Sequence, residues 1–547
     1  QMLTSILLFY FFPTNNHERL TGDGVDLVAG TLRNLTGLTS FCFAENPLGN
    51  EGVQTIVRGM KGLPLKKVNM SLCSLRGEDS LTSVLANGAL ASCTDLNIQC
   101  NSFGPSGMEI YKKSLLDGGL GTLAEIDLYR CGLGPQGGKT MAALLRVYKH
   151  IKKLNLRANA LGIDGVAALA SPVAAATNLT ELSLAENNLG VETCEALSDM
   201  IMESSNLKVL SLRDNRVGPK GIATISTGLR ANTSIIELDL RNTSGGVRGA
   251  LYLSDVFRGN TTLHVLWMNT RILLTGPMEP ENTETYDRCI PSPGYFNMSD
   301  LRLQDMEAVI VASSLRKRTG TIHTLDLSGG RIGPDGIAAL CIVLEEAIMD
   351  ATSSSINLPC LHNLQELRLD GNPIRAKGAG SISDYLSSSP TLKRLYLRSC
   401  ELRSGGAAAL APGLRTNGHL EYLDLSENDI DDEGMDALAE GVGQAGGLMR
   451  LNLSGNNLGT QASLRQLICA ATRAPDVPIG TAAAVVIASK GSFLERVDLT
   501  GNPVFCDGWS RGLYDDDHTT LNGLYQALLL ALALNTRRRV ARERKDE

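Results

Sequence analysis

The segment that most resembles an enzyme motif is CGLGPQGGKT at 131–140, because it ends like a phosphate-binding loop. A complete loop of that kind reads G-x-x-x-x-G-K-[ST], and its glycines let backbone N–H groups cradle phosphates. The position of the first glycine is occupied here by Leu133. The same order of apolar residue, glycine, two variable residues and glycine recurs in NALGIDG (159–165), NRVGPKG (215–221) and GRIGPDG (330–336). We therefore interpret the segment as one copy of an internal repeat.

Composition and cysteine spacing narrow the class of protein. The 547 residues carry a formal net charge of -7 at pH 7, which is mild for this length and predicts binding to neither nucleic acid nor membrane. The twelve cysteines are scattered singly, without the paired spacing or the His partners of a metal site. They indicate reduced thiols in an intracellular protein. From the sequence we predict no metal and no cofactor.

Both ends of the chain resemble caps. The apolar run QMLTSILLFYFF at the start is shorter than the roughly 18 residues that span a bilayer. We expect it to form a terminal strand that covers the first repeat, with a clipped targeting segment as the alternative. The stretch LNGLYQALLLALALN (521–535) predicts a helix that closes the other end of the core, and the basic tail RRRVARERK follows it.

A regular repeat organises the chain between these ends. Apolar residues follow the template L-x-x-L-x-L-x-x-N/C-x-L, with starts 28 residues apart over 123–263 and again over 364–448. We count fifteen copies from Leu38 to Leu494. The ninth position holds Asn or Cys in twelve of them: Asn46, Cys73, Asn101, Cys131, Asn159, Asn187, Asn215, Asn372, Cys400, Asn428, Asn456 and Asn502. We expect these side chains to lie inside a turn and to hydrogen-bond unpaired backbone groups.

The residues after each turn have apolar positions at helical spacing, as in GIDGVAALASPV (162–173). A repeat is therefore a strand, a turn and a helix. Because a helix is about 10 Å across and neighbouring strands lie only about 4.8 Å apart, stacked repeats must curve with the helices outside. The sequence predicts an α/β solenoid shaped like a horseshoe, with a parallel sheet on the concave side and helices on the convex side.

The spacing also predicts the domain organisation. Residues 1–37 are an N-terminal cap with a partial first repeat, 38–505 the solenoid, and 506–547 the capping helix with the basic tail. Three longer intervals place insertions near 272–300, 345–360 and 470–490. The first insertion is polar and proline-rich, which predicts a surface loop.

The 28-residue period, with G-x-x-G and a long helix, resembles the ribonuclease-inhibitor type of leucine-rich repeat over about residues 20–505. That class includes ribonuclease inhibitors, sensing domains of nucleotide-binding immune receptors and activators of the Ran GTPase, and its concave face usually binds protein. The turns NSFGPSG (101–107) and CGLGPQGG (131–138) are most similar to the Ran-activating family. That resemblance implies that Arg76, in SLCSLRGED (71–79), corresponds to a catalytic arginine that stabilises charge on a transferred phosphoryl group.

Three departures from the Ran-activating family favour a non-enzymatic protein. The loop that carries Arg76 is not lengthened, Arg130 and Cys131 stand where an asparagine is expected, and the tail is mostly basic rather than acidic. We therefore predict an interaction scaffold without catalytic residues, a structural subunit of a larger intracellular complex. We expect the protein to be located in the cytoplasm. The cilium or axoneme, the cytoskeleton and an organelle are the finer candidate locations. A GTPase activator that uses Arg76 and a ligand sensor are the alternatives.

The outward positions of the strands, at offsets two, four and six from the first leucine, predict where a partner binds. Arginine and tyrosine dominate interface hot spots, and these positions gather both types. The predicted partner-binding patch consists of Trp267, Arg368, Arg394, Tyr396, Arg398, Tyr422, Arg450 and Arg496. Its basic and aromatic character predicts a partner protein with an acidic surface. Interspersed aspartates such as Asp424 make the face a poor match for a nucleic-acid backbone.

Overall fold

The chain forms two compact units, residues 1–274 and 275–547, in a computed structural model of the protein. The described residues are 5–7, 22–77, 82, 84–85, 88–269, 271–273, 295–299, 302–315, 322–353, 363–459, 494, 496–503, 529, 532–533, 536 and 540. Each unit has a sheet of its own. The boundary between the two units falls within the range 38–505 that the repeat pattern predicts as the solenoid.

The first unit contains an 11-stranded sheet whose strands follow one another in chain order. The strands are β1 (Ser5–Leu7), β2 (Ser40–Cys42), β3 (Lys67–Asn69), β4 (Asp95–Asn97), β5 (Glu125–Asp127), β6 (Lys153–Asn155), β7 (Glu181–Ser183), β8 (Val209–Ser211), β9 (Glu237–Asp239), β10 (Val265–Trp267) and β11 (Arg271–Leu273). All neighbours pair in parallel except β11, which is antiparallel to β10. The helices are α1 (Gly22–Leu32), α2 (Gly49–Gly59), α3 (Gly104–Leu116), α4 (Gly134–Val147), α5 (Gly162–Ala174), α6 (Cys194–Glu203), α7 (Gly218–Ala231) and α8 (Gly246–Gly259).

The second unit contains a 7-stranded sheet, also in chain order and parallel throughout. The strands are β12 (Tyr295–Asn297), β13 (Thr324–Asp326), β14 (Glu366–Arg368), β15 (Arg394–Tyr396), β16 (Tyr422–Asp424), β17 (Arg450–Asn452) and β18 (Arg496–Asp498). The helices are α9 (Asp305–Leu315), α10 (Pro334–Ser353), α11 (Arg375–Ser388), α12 (Arg403–Thr416) and α13 (Asp432–Gln444). Within each unit, neighbouring strands contact one another, and consecutive helices do so for α1 with α2, from α3 to α8 and from α9 to α13. This confirms the predicted α/β leucine-rich repeat solenoid for both units.

The predicted surface loop over 272–300 differs from the structure at both of its ends. Arg271–Leu273 forms β11 and Tyr295–Asn297 forms β12, while 274–294 lies outside the described residues. Phe296 and Met298 are 7% and 5% exposed, so they occupy the places of repeat leucines. Phe296 also pairs in register with Leu325 of the next strand. The end of this segment is therefore a further repeat copy.

The other predicted insertions and caps are described only in part. Helix α10 is 20 residues long and ends at Ser353, so the insertion near 345–360 begins as an extension of a helix. The insertion near 470–490 and residues 504–528 lie outside the described residues. At the other end of the chain, β1 pairs in parallel with β2. The domain bounds 1–37, 38–505 and 506–547 stay predictions.

Leucines between strand and helix form the core of each repeat. In β7 the flanking residues are partly exposed, whereas Leu182 and Leu184 are 2% and 0% exposed. Leu197 and Ile201 of α6, the helix that follows β7, are both 0% exposed. Burying each such side chain stabilises the fold by about 2 kcal/mol. Since repeats stack in register, these layers join into a continuous core.

The segment that resembles a phosphate-binding loop is part of helix α4. A side chain at the buried Gly138 would come within 2.8 Å of the Cα atom of Gly165 in helix α5. Glycine at this position therefore allows the two helices to pack closely. Lys139 is exposed, and its Nζ atom lies 3.2 Å from a carboxylate oxygen of Asp164. This confirms the interpretation of the segment as a repeat copy.

Buried asparagines at the ninth position connect the turns of consecutive repeats, as predicted. The Nδ2 group of Asn187 donates to the carbonyl oxygens of Leu156 at 2.9 Å and Ala185 at 3.0 Å. Its Oδ1 atom accepts from the backbone N–H groups of Asn159 at 3.1 Å and Leu161 at 3.2 Å. One side chain thus satisfies four backbone groups in two repeats.

Three cysteines take the place of this asparagine as weaker donors. The Sγ atom of Cys73 donates to the Phe43 carbonyl at 3.4 Å, and that of Cys400 donates to the Leu369 carbonyl at 3.4 Å. Cys131 is bonded in the same way. Burial raises the pKa of the Cys73 and Cys400 thiols to about 12. Both therefore stay protonated at neutral pH, which confirms their structural role.

A second set of buried asparagines, which the sequence analysis did not identify, lies after the helices. The Nδ2 group of Asn232 donates to the carbonyl oxygens of Ile201 at 2.6 Å and Ser204 at 3.1 Å, and its Oδ1 atom accepts from the Ser234 N–H at 2.9 Å. Asn260 makes equivalent bonds one repeat later. Helix ends are thus connected from repeat to repeat in the same way as the turns.

Asn187→Ala is expected to lower the free energy of unfolding by about 3 kcal/mol, because buried backbone groups lose their partners. Chemical denaturation followed by circular dichroism measures the loss. Asn178→Ala is the matched control, since the exposed Asn178 amide makes a bond to the Lys149 carbonyl and its removal should cost less than about 1 kcal/mol. Equal losses in the two variants would contradict the role given to Asn187.

Candidate protein-binding surface

The strand face of the second unit consists of the residues that flank the buried middle residue of each strand from β12 to β18. In β15, Arg394 and Tyr396 are partly exposed on either side of Leu395, which is 0% exposed. The parallel register places Glu366 and Tyr422 directly beside Arg394 on the neighbouring strands. Because strands lie about 4.8 Å apart, side chains on neighbouring strands can touch across this face.

Glu366 is the electrostatic centre of the strand face. Its carboxylate accepts from the Nε atoms of Arg368 at 2.6 Å and Arg394 at 2.7 Å. Only 9% of the Glu366 side chain is exposed. A carboxylate removed from water to this degree requires counter-charges, and the two guanidinium groups supply them. Arg368 and Arg394 therefore belong to a fixed framework and are not free cationic sites.

Arg368 also stacks on Tyr396, which in turn contacts Tyr422. We call Arg368, Tyr396 and Tyr422 the stacked cluster. The Cζ atom of Arg368 lies 4.3 Å from the centroid of the Tyr396 ring. The Tyr396 and Tyr422 ring centroids are 5.0 Å apart, with the planes tilted by 45°. The Tyr422 hydroxyl donates to a carboxylate oxygen of Asp424 at 3.0 Å. Each ring contact stabilises by about 1 kcal/mol and holds the rings in one orientation.

The pKa values of two carboxylates around the stacked cluster are shifted in opposite directions. Burial raises the pKa of the half-buried Asp370, and the carboxylate of Asp424 adds to this, although the backbone N–H of Arg398 donates to Asp370 at 2.8 Å. By contrast, a hydrogen bond from the Arg398 guanidinium lowers the pKa of the exposed Glu427. Arg398 therefore has a carboxylate partner, as Arg368 and Arg394 do.

Arg450 and Arg496 differ from the other arginines of the predicted patch. Both are exposed, and they lie directly opposite each other on β17 and β18. Within the part of the chain that the structure describes, neither guanidinium group has a carboxylate within ion-pair distance. The uncompensated positive charge of the strand face is therefore located at its C-terminal end.

The structure places six of the eight predicted patch residues on the strand face of the second unit, on β14 to β18, and a seventh, Arg398, two residues after the end of β15. Trp267 is the exception, because it belongs to β10 of the first unit. Its indole N–H donates to Glu237 at 2.6 Å, and the Cζ atom of Arg241 lies 4.7 Å from its ring centroid. Trp267 is thus part of another sheet with its own partners. Whether the seven bind a partner stays a prediction.

The sequence analysis missed Glu366 and Tyr295. Glu366 is at an outward offset of β14, but a patch chosen for arginine and aromatic residues left it out. The Tyr295 hydroxyl donates to Asp326 at 3.0 Å from β12, a strand hidden because Phe296 and Met298 replace the repeat leucines. A template that allows Phe and Met at the leucine positions would have found this strand.

Arg76, the catalytic candidate of the GTPase-activator alternative, is exposed. Its backbone N–H donates to Asn50 Oδ1 at 3.0 Å, and its carbonyl accepts from Asn50 Nδ2 at 2.9 Å. These bonds hold the main chain and not the guanidinium group. Among the described residues, no three His, Cys, Asp or Glu side chains are arranged to hold a metal ion, and no helix in those parts of the chain is long and apolar enough to cross a membrane.

Asp370→Asn is expected to raise the free energy of unfolding at pH 7. The pKa of Asp370 is higher in the folded than in the unfolded protein, so stability falls as pH rises between the two values. The amide removes the charge and keeps an oxygen for the N–H of Arg398. Denaturant titrations at pH 7 and at about pH 3, below the ordinary Asp pKa of about 3.9, measure the difference.

The gain should shrink at the lower pH, where Asp370 is protonated in both the folded and the unfolded wild type. Asp429→Asn, which removes an exposed charge from the same unit, controls for the change in net charge. If Asp370→Asn gains nothing over this control at pH 7, the carboxylate is not destabilised by its surroundings.

The repeats match a known family of sequences. The family model described as "Leucine Rich repeat" matches residues 175–198, 203–226, 321–341, 360–383, 388–411 and 416–439. Each of these segments contains one strand and the beginning of the next helix.

Curated relatives match over part of the chain. The ribonuclease inhibitor of Sus scrofa is 27% identical over 146 residues, which cover 26% of this chain and 31% of that protein. The human "NACHT, LRR and PYD domains-containing protein 5" is 28% identical over 145 residues, which cover 26% of this chain and 12% of that protein. The match therefore spans less than a third of either relative.

Solved structures with some similarity include a plant peptide hormone receptor, RGFR1 with RGF2, at 14% identity and a TM-score of 0.27, covering 86% of this chain and 68% of that one. The leucine-rich repeat-containing protein LegL7 from Legionella pneumophila has 17% identity and a TM-score of 0.32, covering 45% of this chain and 91% of that one. The strand and helix repeats of both units and the six matched segments lead to one conclusion. The chain is a leucine-rich repeat protein, with repeats similar to those of ribonuclease inhibitors.

Proposed function

We propose that this protein is a non-enzymatic scaffold that binds another protein on the strand face of its second unit. Leucine-rich repeat proteins generally mediate protein–protein interaction, and the family is typically non-enzymatic. The observation that carries the choice of surface is the stacked cluster, in which Arg368, Tyr396 and Tyr422 are held in contact on neighbouring strands.

The stacked cluster is organised before a partner arrives. Tyr396 and Tyr422 are partly exposed, so each ring keeps surface that a partner can cover. Their contacts with each other and with Arg368 already restrict the side chains. Binding therefore costs little additional side-chain entropy, and more of the contact energy appears as affinity. Tyrosine and arginine held in this way are the residue types that form hot spots.

The dimensions of the strand face favour a protein partner over a small molecule. The seven strands of the second sheet, spaced about 4.8 Å apart, extend over roughly 30 Å. A surface of that width matches the scale of a protein interface.

We also propose that the protein works inside the cell as a subunit of a larger assembly. The cytoplasm, cilium and cytoskeleton are its candidate addresses. Free thiols at eight described cysteines support a reducing compartment. Fluorescence microscopy of the tagged full chain in its source cell tests the address, and size-exclusion chromatography of a native extract tests membership of a complex.

The double substitution Tyr396→Ala and Tyr422→Ala is expected to reduce capture of the partner from an extract of the source cell by at least about tenfold, because loss of a hot-spot aromatic costs about 2 kcal/mol. Quantitative affinity purification with mass spectrometry measures the ratio of each captured protein between wild type and variant.

Tyr252→Ala is the matched control, since this tyrosine is 45% exposed on helix α8 of the first unit. All variants should retain the circular dichroism of the wild type and remain folded at the temperature of the purification. Undiminished capture by the double variant would refute the surface assignment. Stimulated GTP hydrolysis by a Ran-like GTPase, abolished by Arg76→Ala, would refute the non-enzymatic function.

A further inference from the structure

Charged residues that face each other on neighbouring strands usually carry opposite charges in this protein. The pairs that form ion pairs in register are Lys67–Asp95 at 3.2 Å, Glu125–Lys153 at 3.6 Å, Lys153–Glu181 at 3.2 Å and Glu366–Arg394 at 2.7 Å. Opposite charges directly across a sheet stabilise it by about 0.2–1 kcal/mol, and like charges destabilise it. The outward faces of both sheets therefore largely neutralise themselves.

Arg450 and Arg496 depart from this pattern. They are directly opposite each other in register, so two positive charges lie on strands about 4.8 Å apart. On the other side of Arg450 the register places the neutral Tyr422, and β18 is the last strand in the order of the sheet. No neighbouring strand among the described residues therefore supplies a counter-charge.

The acidic residues at equivalent positions of β4 and β5 provide a comparison. Asp95 and Glu125 also carry like charges on neighbouring strands, but Lys67 pairs with Asp95 and Lys153 pairs with Glu125. Each carboxylate thus has a cation on its far side. The arginine pair lacks this compensation, and one acidic residue at either position would provide it. Residues that lower the stability of the fold without a compensating contact inside the protein are expected at a functional site.

We propose that Arg450 and Arg496 together bind two carboxylate side chains of an acidic segment in the partner protein. This inference rests on the proposed function, because it specifies the chemistry of the partner that the strand face binds. Each guanidinium group presents a planar set of N–H donors that matches a carboxylate. Two carboxylates would neutralise both arginines. The repulsion between the two guanidinium groups would then be replaced by the attraction of each group to a carboxylate of the partner.

The neighbouring stacked cluster specifies the rest of the segment. Tyr396 and Tyr422 occupy β15 and β16, next to Arg450 on β17. In an extended peptide, side chains on one face repeat about every 6.7 Å. A peptide that crosses the strands at about 45° advances by about one strand spacing for each such side chain. It can therefore place one apolar side chain on the tyrosine rings and the next two alternate side chains at Arg450 and Arg496. The preferred segment reads apolar, any residue, acidic, any residue, acidic.

The repulsion between the arginines can be tested without any ligand. Arg496→Glu in the full-length protein is expected to raise the melting temperature by about 2 °C at an ionic strength of about 0.01 M. Arg496→Gln should give a smaller rise, and both gains should vanish in about 1 M salt, where charges are screened. Arg331→Glu, at an exposed arginine of the same unit outside the named strands and helices, is the control. No rise for Arg496→Glu over this control overturns the inference.

Binding is tested with a fluorescein-labelled peptide that has leucine at its second position, glutamate at its fourth and sixth, and alanine elsewhere. Fluorescence anisotropy should show binding to the wild type that weakens as salt increases. The double variant Arg450→Gln and Arg496→Gln should bind at least about tenfold more weakly, because hydrogen bonds to charged groups contribute about 1.5–3 kcal/mol each. The same peptide with glutamine in place of glutamate should lose affinity to a similar degree.

The double variant Arg331→Gln and Arg403→Gln removes two exposed arginines outside the strands of the same unit and should bind like the wild type. Equal binding of the acidic peptide to both double variants, or no binding to the wild type, overturns the inference. These outcomes leave the proposed function intact if the tyrosine double variant still loses its partner. Conversely, the peptide could bind through the arginines while the tyrosine variant captures the partner undiminished. That outcome would exclude the stacked cluster from the binding surface and leave the carboxylate site in place.

Discussion

Each repeat must turn sharply after only a few residues of strand, and the turn leaves backbone N–H and C=O groups that cannot reach water. A single buried asparagine resolves this, as Asn187 does with two donated and two accepted hydrogen bonds. Because these bonds reach into the preceding repeat, every turn depends on the one beside it. The constraint fixes the length of the turn and not that of the whole repeat, since a residue added within the turn would move the amide away from its partners, whereas Asn372 and Asn502 make the same bonds across longer repeats.

Different residues hold the fold together and form the outward surface, which explains why a binding function can be located on the strand face. Asparagines and leucines hold each repeat, so the residues that flank the buried middle of a strand are free to serve another purpose. In the first unit many of them form a ladder of ion pairs, with Lys153 between Glu125 and Glu181. In the second unit the same positions gather the stacked cluster around the buried Glu366. The two sheets thus have the same repeat structure and differ in the chemistry of their outward side chains.

The sequence predicted the elements that depend on periodicity. The 28-residue spacing located most strands, and the ninth position of the template identified Asn187 and Cys73 as turn residues. Strand β12 was missed because Phe296 and Met298 bury the same surface as leucine but do not match the template. The pairing of Arg368 and Arg394 with Glu366 could not be predicted either, since it depends on side-chain conformations and not on spacing. Trp267 was grouped with the patch because a repeat count does not show where one sheet ends.

The antiparallel strand β11 marks that end within the first unit. In an array of parallel repeats each strand hydrogen-bonds to the next. The cooperativity of folding comes from the contacts between neighbouring repeats. Trp267 instead pairs with Arg271 on a strand that runs in the reverse direction, so the parallel order of the first sheet ends at β10. β10 therefore has hydrogen-bond partners on both of its edges. Fraying of the parallel strands from this end of the sheet must first break the pairing between β10 and β11.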